Sequence, residues 1–300
     1  MSNISPELAI FHDNVIDSIR ELSETEYTEY TAADARLKQL EQDQALFTTV
    51  LLNYGDFEKT LQKCLREYIS YSFVSLIEQP PISGMMLDIN RRILNLLSAF
   101  RTYLDHSQYN LSKRYGAQSE RLQRFNIACS AAYDGDFSYR FAYELRNYVQ
   151  HCGMPLGVIE LKAEPDKISK TMTYSLEVYF DRDALLDRFD WKSQLRVEIA
   201  GLASRFPIRP HMAELMRSLE QINRVALGDE LDEIARAAQI VQRLTTLPTG
   251  KVGRPCIVRE RPTAPKGRFV IEWIPTELVG RVLACEREDR VKVRGSSVES

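Results

Sequence analysis

Apolar residues recur at three- and four-residue intervals from residue 5 to about 125, the mark of amphipathic helices. Strong breakers interrupt this pattern only at Asn53-Tyr54-Gly55-Asp56 and across Gln79-Pro80-Pro81-Ile82-Ser83-Gly84. The pattern therefore predicts two helical blocks. The first holds a helix over roughly 5–25, an apolar run near 45–52 that reads equally as helix or strand, and a helix from Asp56 to Glu78. The second starts after Gly84, with a long helix from near Asp88. On it Ile89, Ile93, Leu96, Leu97, Phe100, Leu104 and Leu111 fall within about 100° of one another and form a core stripe.

Beyond this block the punctuation sharpens. Tyr133-Asp134-Gly135-Asp136 is a turn, and Asp136 or Ser138 suits the N-cap of the helix that follows. Cys152-Gly153-Met154-Pro155 ends that helix, with Gly153 at the cap position and Pro155 unable to continue. Val158 to Ala163 and Thr171 to Phe180 flank Glu164-Pro165-Asp166-Lys167 as a hairpin. Helices resume over 183–206, 210–226 and 229–246. After Pro248-Thr249-Gly250, Cys256 to Arg259 and Arg268 to Trp273 read as paired strands, followed by a short helix from Pro275 to about Cys285 and a polar tail over 286–300. The expected fold is mainly α, a helical bundle with one or two small β-hairpins. Its expected parts are an N-terminal helical region (1–83), a helical domain with the hairpin at about 156–181 inserted in it (84–248), and a C-terminal basic hairpin with a short helix and tail (249–300).

Composition narrows the class. With 300 residues, 44% hydrophobic and 27% charged, the chain is that of an ordinary globular protein, which excludes fibrous and wholly disordered readings. No run of eighteen apolar residues occurs, and the amino terminus lacks the regions of a signal peptide, so the expectation is a cytoplasmic protein with no membrane partner. The five cysteines, at 64, 129, 152, 256 and 285, form no Cys-x-x-Cys pair and read as buried or free thiols. Charge is uneven. Residues 251–294 hold eleven Lys/Arg against six Asp/Glu, a local +5 within a chain of net −3. Lys251, Arg254, Arg259, Arg261, Lys266 and Arg268 are therefore candidates for meeting phosphate or an acidic partner.

Phosphate-loop, dinucleotide, zincin and nucleophile-elbow motifs do not occur, so no cofactor and no metal is expected. Asp181, Asp183, Asp187 and Asp190 read as a solvated helix start. Tyr27, Tyr30, Tyr68, Tyr71, Tyr103 and Tyr109 take core or boundary spacing rather than forming a stacking platform. Of the histidines, His12 and His211 have no partner pattern and read as surface residues. His151 ends the capped helix in the series Arg146-Asn147-Tyr148-Val149-Gln150-His151. Arg-x4-His also occurs at Arg101 to His106, but there Thr102 follows the arginine, and only Arg146 is followed by Asn, Asp or His.

Helix geometry singles out the same segment. Phe141, Leu145, Tyr148 and Cys152 cluster on one side, the side to be buried. Asn147 lies opposite with His151 one turn below it, flanked by Arg146 and Arg140 and accompanied by Tyr143, Glu144 and Gln150. In the last helical turn His151 meets the negative end of the helix dipole, which favours the imidazolium and suits general acid–base work near neutral pH. Arg146 offers a phosphate clamp and Asn147 a hydrogen-bond partner for the imidazole. On the preceding long helix Asn95, Thr102 and His106 share an outer face with Arg101 at its edge. His106 reads as a surface residue, unless that helix packs beside the motif helix and lends His106 or Arg101 to it.

An arginine, a polar residue, three further residues and a histidine at a helix end resemble the signature of HEPN domains, small helical bundles many of which are metal-independent ribonucleases of toxin and antiphage systems. The resemblance covers residues 85–155 and extends in part to 183–246. It implies RNA cleavage by attack of a 2′-hydroxyl on the adjacent phosphate, leaving a cyclic phosphate. His151 would then be general base or acid, Arg146 would stabilise the phosphorane, and Asn147 would hold His151 or the substrate. It implies a homodimer whose motif helices meet in one composite cleft, and an antitoxin or defence-system partner protein. The tyrosine that one branch of the family carries two positions after the histidine is absent; Gly153 stands there. The alternative is a non-catalytic HEPN-like module whose polar helix face binds a partner protein or a nucleotide.

Overall fold

A computed structural model of the protein describes residues 5–74, 82–165, 172–228, 230–245, 252–260 and 269–284. In chain order the elements are β1 (Glu7–His12), β2 (Val15–Glu21), α1 (Glu24–Val74), α2 (Ile82–Tyr115), α3 (Glu120–Gly135), α4 (Phe137–His151), β3 (Leu156–Pro165), β4 (Met172–Asp181), α5 (Arg182–Arg188), α6 (Ser193–Ala200), β5 (Arg205–Pro207), α7 (Ile208–Leu227), α8 (Glu230–Thr245), β6 (Arg254–Glu260), β7 (Phe269–Trp273) and α9 at 276–284. The fold is mainly α, and the described residues form two small antiparallel sheets, ordered β2-β1-β6-β7 and β3-β4-β5. Several sequence features fall outside the described residues: the Gln79 to Pro81 break, the Asp166-Lys167 turn, Pro248 to Lys251, Arg261, Lys266, Arg268, Cys285, the 286–300 tail and the Tyr71 side chain.

Contacts divide the chain into one unit of residues 1–44 with 229–300 and another of residues 45–228. The division differs from cuts at 83 and 248 because β1 pairs with β6, some 250 positions later, through the register Glu7↔Val258 to Phe11↔Arg254. In the first unit, the helix expected over residues 5–25 is replaced by a hairpin, Glu7–Glu21, after which α1 begins at Glu24. Asp13 (φ 45°) and Asn14 (φ 63°) are both left-handed, the two-residue turn whose twist matches paired strands. Leu8, Ala9 and Ile10 are buried in succession between β2 and β6. So short an apolar run fits helical and strand periods alike, and only the distant partner strand decides.

Gly253 shows how tightly β6 enters this sheet. Its φ is +149°, and a Cβ there would lie 2.3 Å from Ile10 Cγ2 and 2.8 Å from the Phe11 carbonyl oxygen. Gly253→Ala is expected to destabilise the protein by at least about 1–3 kcal/mol, the usual cost of backbone strain before any clash is added. A urea midpoint equal to that of wild type would contradict this.

In the second unit the Asn53-Tyr54-Gly55-Asp56 break does not occur; α1 runs through it. A helical glycine costs about 1 kcal/mol relative to alanine, and the burial of Phe47, Val50, Phe57, Leu61 and Cys64 along one face offsets it. α2 starts at Ile82, ahead of the expected Asp88, and its stripe from Ile89 to Leu104 is buried, with Leu111 only half-buried. The expected helix over 183–206 is interrupted. Phe189 is extended, Trp191 is buried with its indole N–H donating to the Leu185 carbonyl at 2.7 Å, and Arg205 to Pro207 join β4 as an edge strand.

Candidate functional site

α4 begins and ends as its sequence requires. The Asp136 carboxylate accepts from the Ser138 backbone N–H at 2.8 Å and from the Ser218 hydroxyl on α7 at 2.6 Å, so the cap also ties the helix to a neighbour. Gly153, at φ +133°, turns the chain away after His151. The inward face is aromatic. Phe141 packs against Phe180, Trp191 and Phe206 with ring centroids 5.2–5.7 Å apart, and Tyr148 stacks on Trp191 at 5.8 Å. These contacts set the rotation of α4 about its axis and thereby choose its outward residues.

His211 belongs to this cluster and is not the surface residue its lack of pattern suggested. It sits edge-on to Phe137 and Phe206, and its Nδ1 lies 2.8 Å from the Ser138 hydroxyl. Burial holds its imidazole below the ordinary value, with Asp136 and Glu214 acting in the opposite sense. The unfolded chain takes up a proton there more readily than the folded one. His211 thus contributes stability above about pH 6.5 that is lost as pH falls below it. His211→Asn is expected to flatten the decline of Tm between about pH 7 and pH 5; parallel declines in the two proteins would refute this.

The outward face differs from the one the helical wheel implies. Arg140 and Glu144 do not flank it in solvent; both are buried. The Arg140 guanidinium donates twice to Glu198 on α6, at 3.1 and 2.6 Å, and also to the carbonyls of Tyr133 and Asp134 at the end of α3. Glu144 accepts from the Tyr133 hydroxyl at 3.0 Å, from Lys192 Nζ at 2.7 Å and from Asn147 Nδ2 at 3.3 Å. Glu144 and Tyr133 together raise the pKa of Lys192 and keep its ammonium charged. Neither Lys192 nor Tyr133 was legible as a partner of this helix, since no local spacing links residue 192 to residue 144. The available signal was generic: a carboxylate on a buried seam demands a cation.

What stays accessible is the C-terminal half of that face. Arg146 and Asn147 are half-buried, while Gln150 and His151 are exposed. Arg146 Nη1 donates to Gln150 Oε1 at 2.5 Å, and Asn147 reaches back to Glu144. No side-chain hydrogen bond or ion pair joins His151 to another described residue. α2 does pack beside this helix: the Arg101 guanidinium lies 4.4 Å above the Tyr143 ring, while also pairing with Asp105. His106 is exposed and bonded to none of the α4 residues. The structure thus assembles Arg101, Tyr143, Tyr133, Glu144, Lys192 and Asn147 around the motif and leaves His106 outside.

The basic C-terminal residues lie in the other unit. Arg254 stacks over Trp273 at 4.7 Å, and Arg259 bonds Glu272, which also receives the Tyr27 hydroxyl at 3.3 Å. Arg259 thus ties its own sheet internally. A separate open cleft of about 580 Å³ in the 45–228 unit is lined by Tyr54, Glu58, Glu177 and Arg209, with Arg209 paired to Glu58 and Glu177 to Lys162. Among the described residues no group of three His, Cys, Asp or Glu side chains is placed to hold a metal ion, and no helix is long and apolar enough to cross a membrane. Asp181 caps α5 through the Ala184 N–H at 2.9 Å. No protein-family model, no curated protein and no solved structure matches the chain.

Proposed function

We propose that α4 carries the site of a metal-independent endoribonuclease of HEPN type, with Arg146, Asn147 and His151 as its working residues. The observation that carries the reading is the end of α4 itself: an exposed imidazole one turn from an amide that is held by a buried carboxylate, with a half-buried guanidinium on the same two turns of helix. In the reaction, the imidazole of His151 removes the proton of an RNA 2′-hydroxyl, whose oxygen attacks the adjacent phosphorus. An imidazolium returns a proton to the departing 5′-oxygen, and Arg146 balances the charge that builds on the phosphorane. Arg146 and His151 are five residues apart, so they leave one helix about 140° apart. The homodimer comes from the resemblance: two motif helices would meet in one composite cleft, with each His151 approaching its symmetry mate. The same resemblance carries the role of effector in a toxin or antiphage module, restrained by a partner protein.

The test is incubation of wild-type and His151→Ala protein with total RNA and tRNA in EDTA, followed by analysis of the product ends. Wild type is expected to leave cyclic phosphate ends, and the variant to cut roughly 10²- to 10⁴-fold more slowly, the range of a lost general acid or base. Undiminished cleavage by the Arg146→Ala, His151→Ala double variant would overturn the assignment. A second, non-catalytic reading draws on the Arg146–Gln150 bond, which ties one N–H of the guanidinium to its own helix. It predicts no cleavage by either protein, with a partner that binds this face of α4 and is lost on Arg146→Ala.

A further inference from the structure

We infer that Glu144 is a positioning residue that, acting through Asn147, decides which ring nitrogen of His151 carries the proton. Its catalytic consequence rests on the ribonuclease reading; the placement of the proton does not. Glu144, Asn147 and His151 follow one another at intervals of three and four and so share one face of α4. The Glu144 side chain is only 7% exposed. Its carboxylate is held by two groups from outside the helix, the Tyr133 hydroxyl at the end of α3 and Lys192 just before α6. Those anchors hold the carboxylate in place, so it does not adjust to Asn147; Asn147 adjusts to it.

An ionised carboxylate accepts hydrogen bonds and donates none. The Asn147 amide therefore has one orientation that suits Glu144, with Nδ2 towards the carboxylate, as observed at 3.3 Å, and Oδ1 turned away. Side chains on a helix lean towards its amino terminus, which places the His151 ring over the turn that carries Asn147. The ring is exposed and its side chain has no hydrogen bond to another described residue, so nothing described holds it away from that amide; the inferred contact is the i, i+4 kind that side chains on one helix face make. What Asn147 has left to offer there is an acceptor. It takes the proton of Nδ1–H, and Nε2 keeps its lone pair directed outward. With the amide reversed, its NH₂ would face the ring, Nδ1 would be the acceptor, and Nε2 would be protonated and unable to act as a base.

A carboxylate that merely stapled α3, α4 and α6 together would change stability and leave the tautomer alone. The deciding measurement is a long-range ¹H–¹⁵N correlation spectrum of the full-length protein labelled with ¹⁵N-histidine, recorded at about pH 8, where imidazoles are neutral. The His151 signals are assigned by their loss in His151→Ala. In wild type His151 is expected mainly as the Nδ1–H tautomer, and in Glu144→Gln mainly as Nε2–H, the form an unpartnered imidazole prefers. Asn147→Ala is expected to produce the same switch with Glu144 intact, which preserves the test if Glu144→Gln fails to fold. Predominant Nε2–H in wild type, or a tautomer ratio unmoved in the variants, overturns the inference. In the RNA assay Glu144→Gln is expected to lower kcat roughly tenfold or more with KM little changed, as when the partner orienting a catalytic histidine is lost. A switched tautomer with no RNA cut by any variant would sink the ribonuclease reading alone, and cleavage with an unmoved tautomer would sink the positioning role alone.

Discussion

Arg140→Ala is expected to lower folding stability by about 3 kcal/mol, whereas Arg146→Ala, six residues on along the same helix, is expected to change it by no more than about 0.5 kcal/mol. Removing one partner of a buried ion pair costs about 3–5 kcal/mol because the other charge is left without compensation. Glu198 retains some access to water, its side chain being 31% exposed, which sets the expectation at the lower end. The carbonyls of Tyr133 and Asp134 also lose their donor and remain at the α3–α4 corner. Among the described residues Arg146 bonds only Gln150, on its own helix, a pair of the kind worth a few tenths of a kcal/mol. Urea denaturation of the two variants checks the contrast. Equal midpoints would mean that Arg140 does not hold the corner, and that its place in the motif's neighbourhood is not structural.

Phe141→Ala carries a comparable penalty for a different reason. The ring is fully buried and meets Phe137, Phe180, Trp191, Phe206 and His211, so truncation removes apolar surface and opens a cavity among groups that are themselves packed on one another. Such truncations cost about 3–5 kcal/mol. Phe141→Leu keeps most of the volume and is expected to cost about 1.5 kcal/mol or less. The two variants together separate packing from shape: a falling denaturation midpoint with an unchanged m-value marks lost stability, and a changed m-value marks a loosened fold. Because this cluster sets the rotation of α4, on the ribonuclease reading proposed above Phe141→Ala is also expected to lower RNA cleavage without any change in the residues of the Arg146 to His151 face.

How far the sequence was legible varied with the range of the forces involved. The ends of α4 depend on an aspartate bonding an N–H two residues away and on a glycine free to take positive φ. Both are local, and both were readable. The hairpins β3–β4 and β6–β7 were readable for the same reason, each being closed between neighbours in sequence. The hairpin at 5–25 and the interruption at 189–191 were not. β1 is a strand because β6 lies beside it, and the helix expected over 183–206 breaks because Trp191 turns in to stack on Phe141 and Tyr148. Gly55 stays helical because the burial around Phe57 outweighs its propensity.

The candidate site divides along the same line. The order of residues determined that Arg146, Asn147 and His151 share one helix, that His151 ends it, and that Phe141, Leu145 and Tyr148 face inward, because a 3.6-residue period is enough to assign faces. It could not separate Arg140 and Glu144 from that accessible face, because a wheel gives direction and not what stands there. Only the tertiary structure brought Glu198 to Arg140, and Tyr133 and Lys192 to Glu144, turning two residues of the presumed polar face into buried anchors. Buried charge is stable only with a partner, and partners that come from other helices are set by packing, which no local pattern encodes.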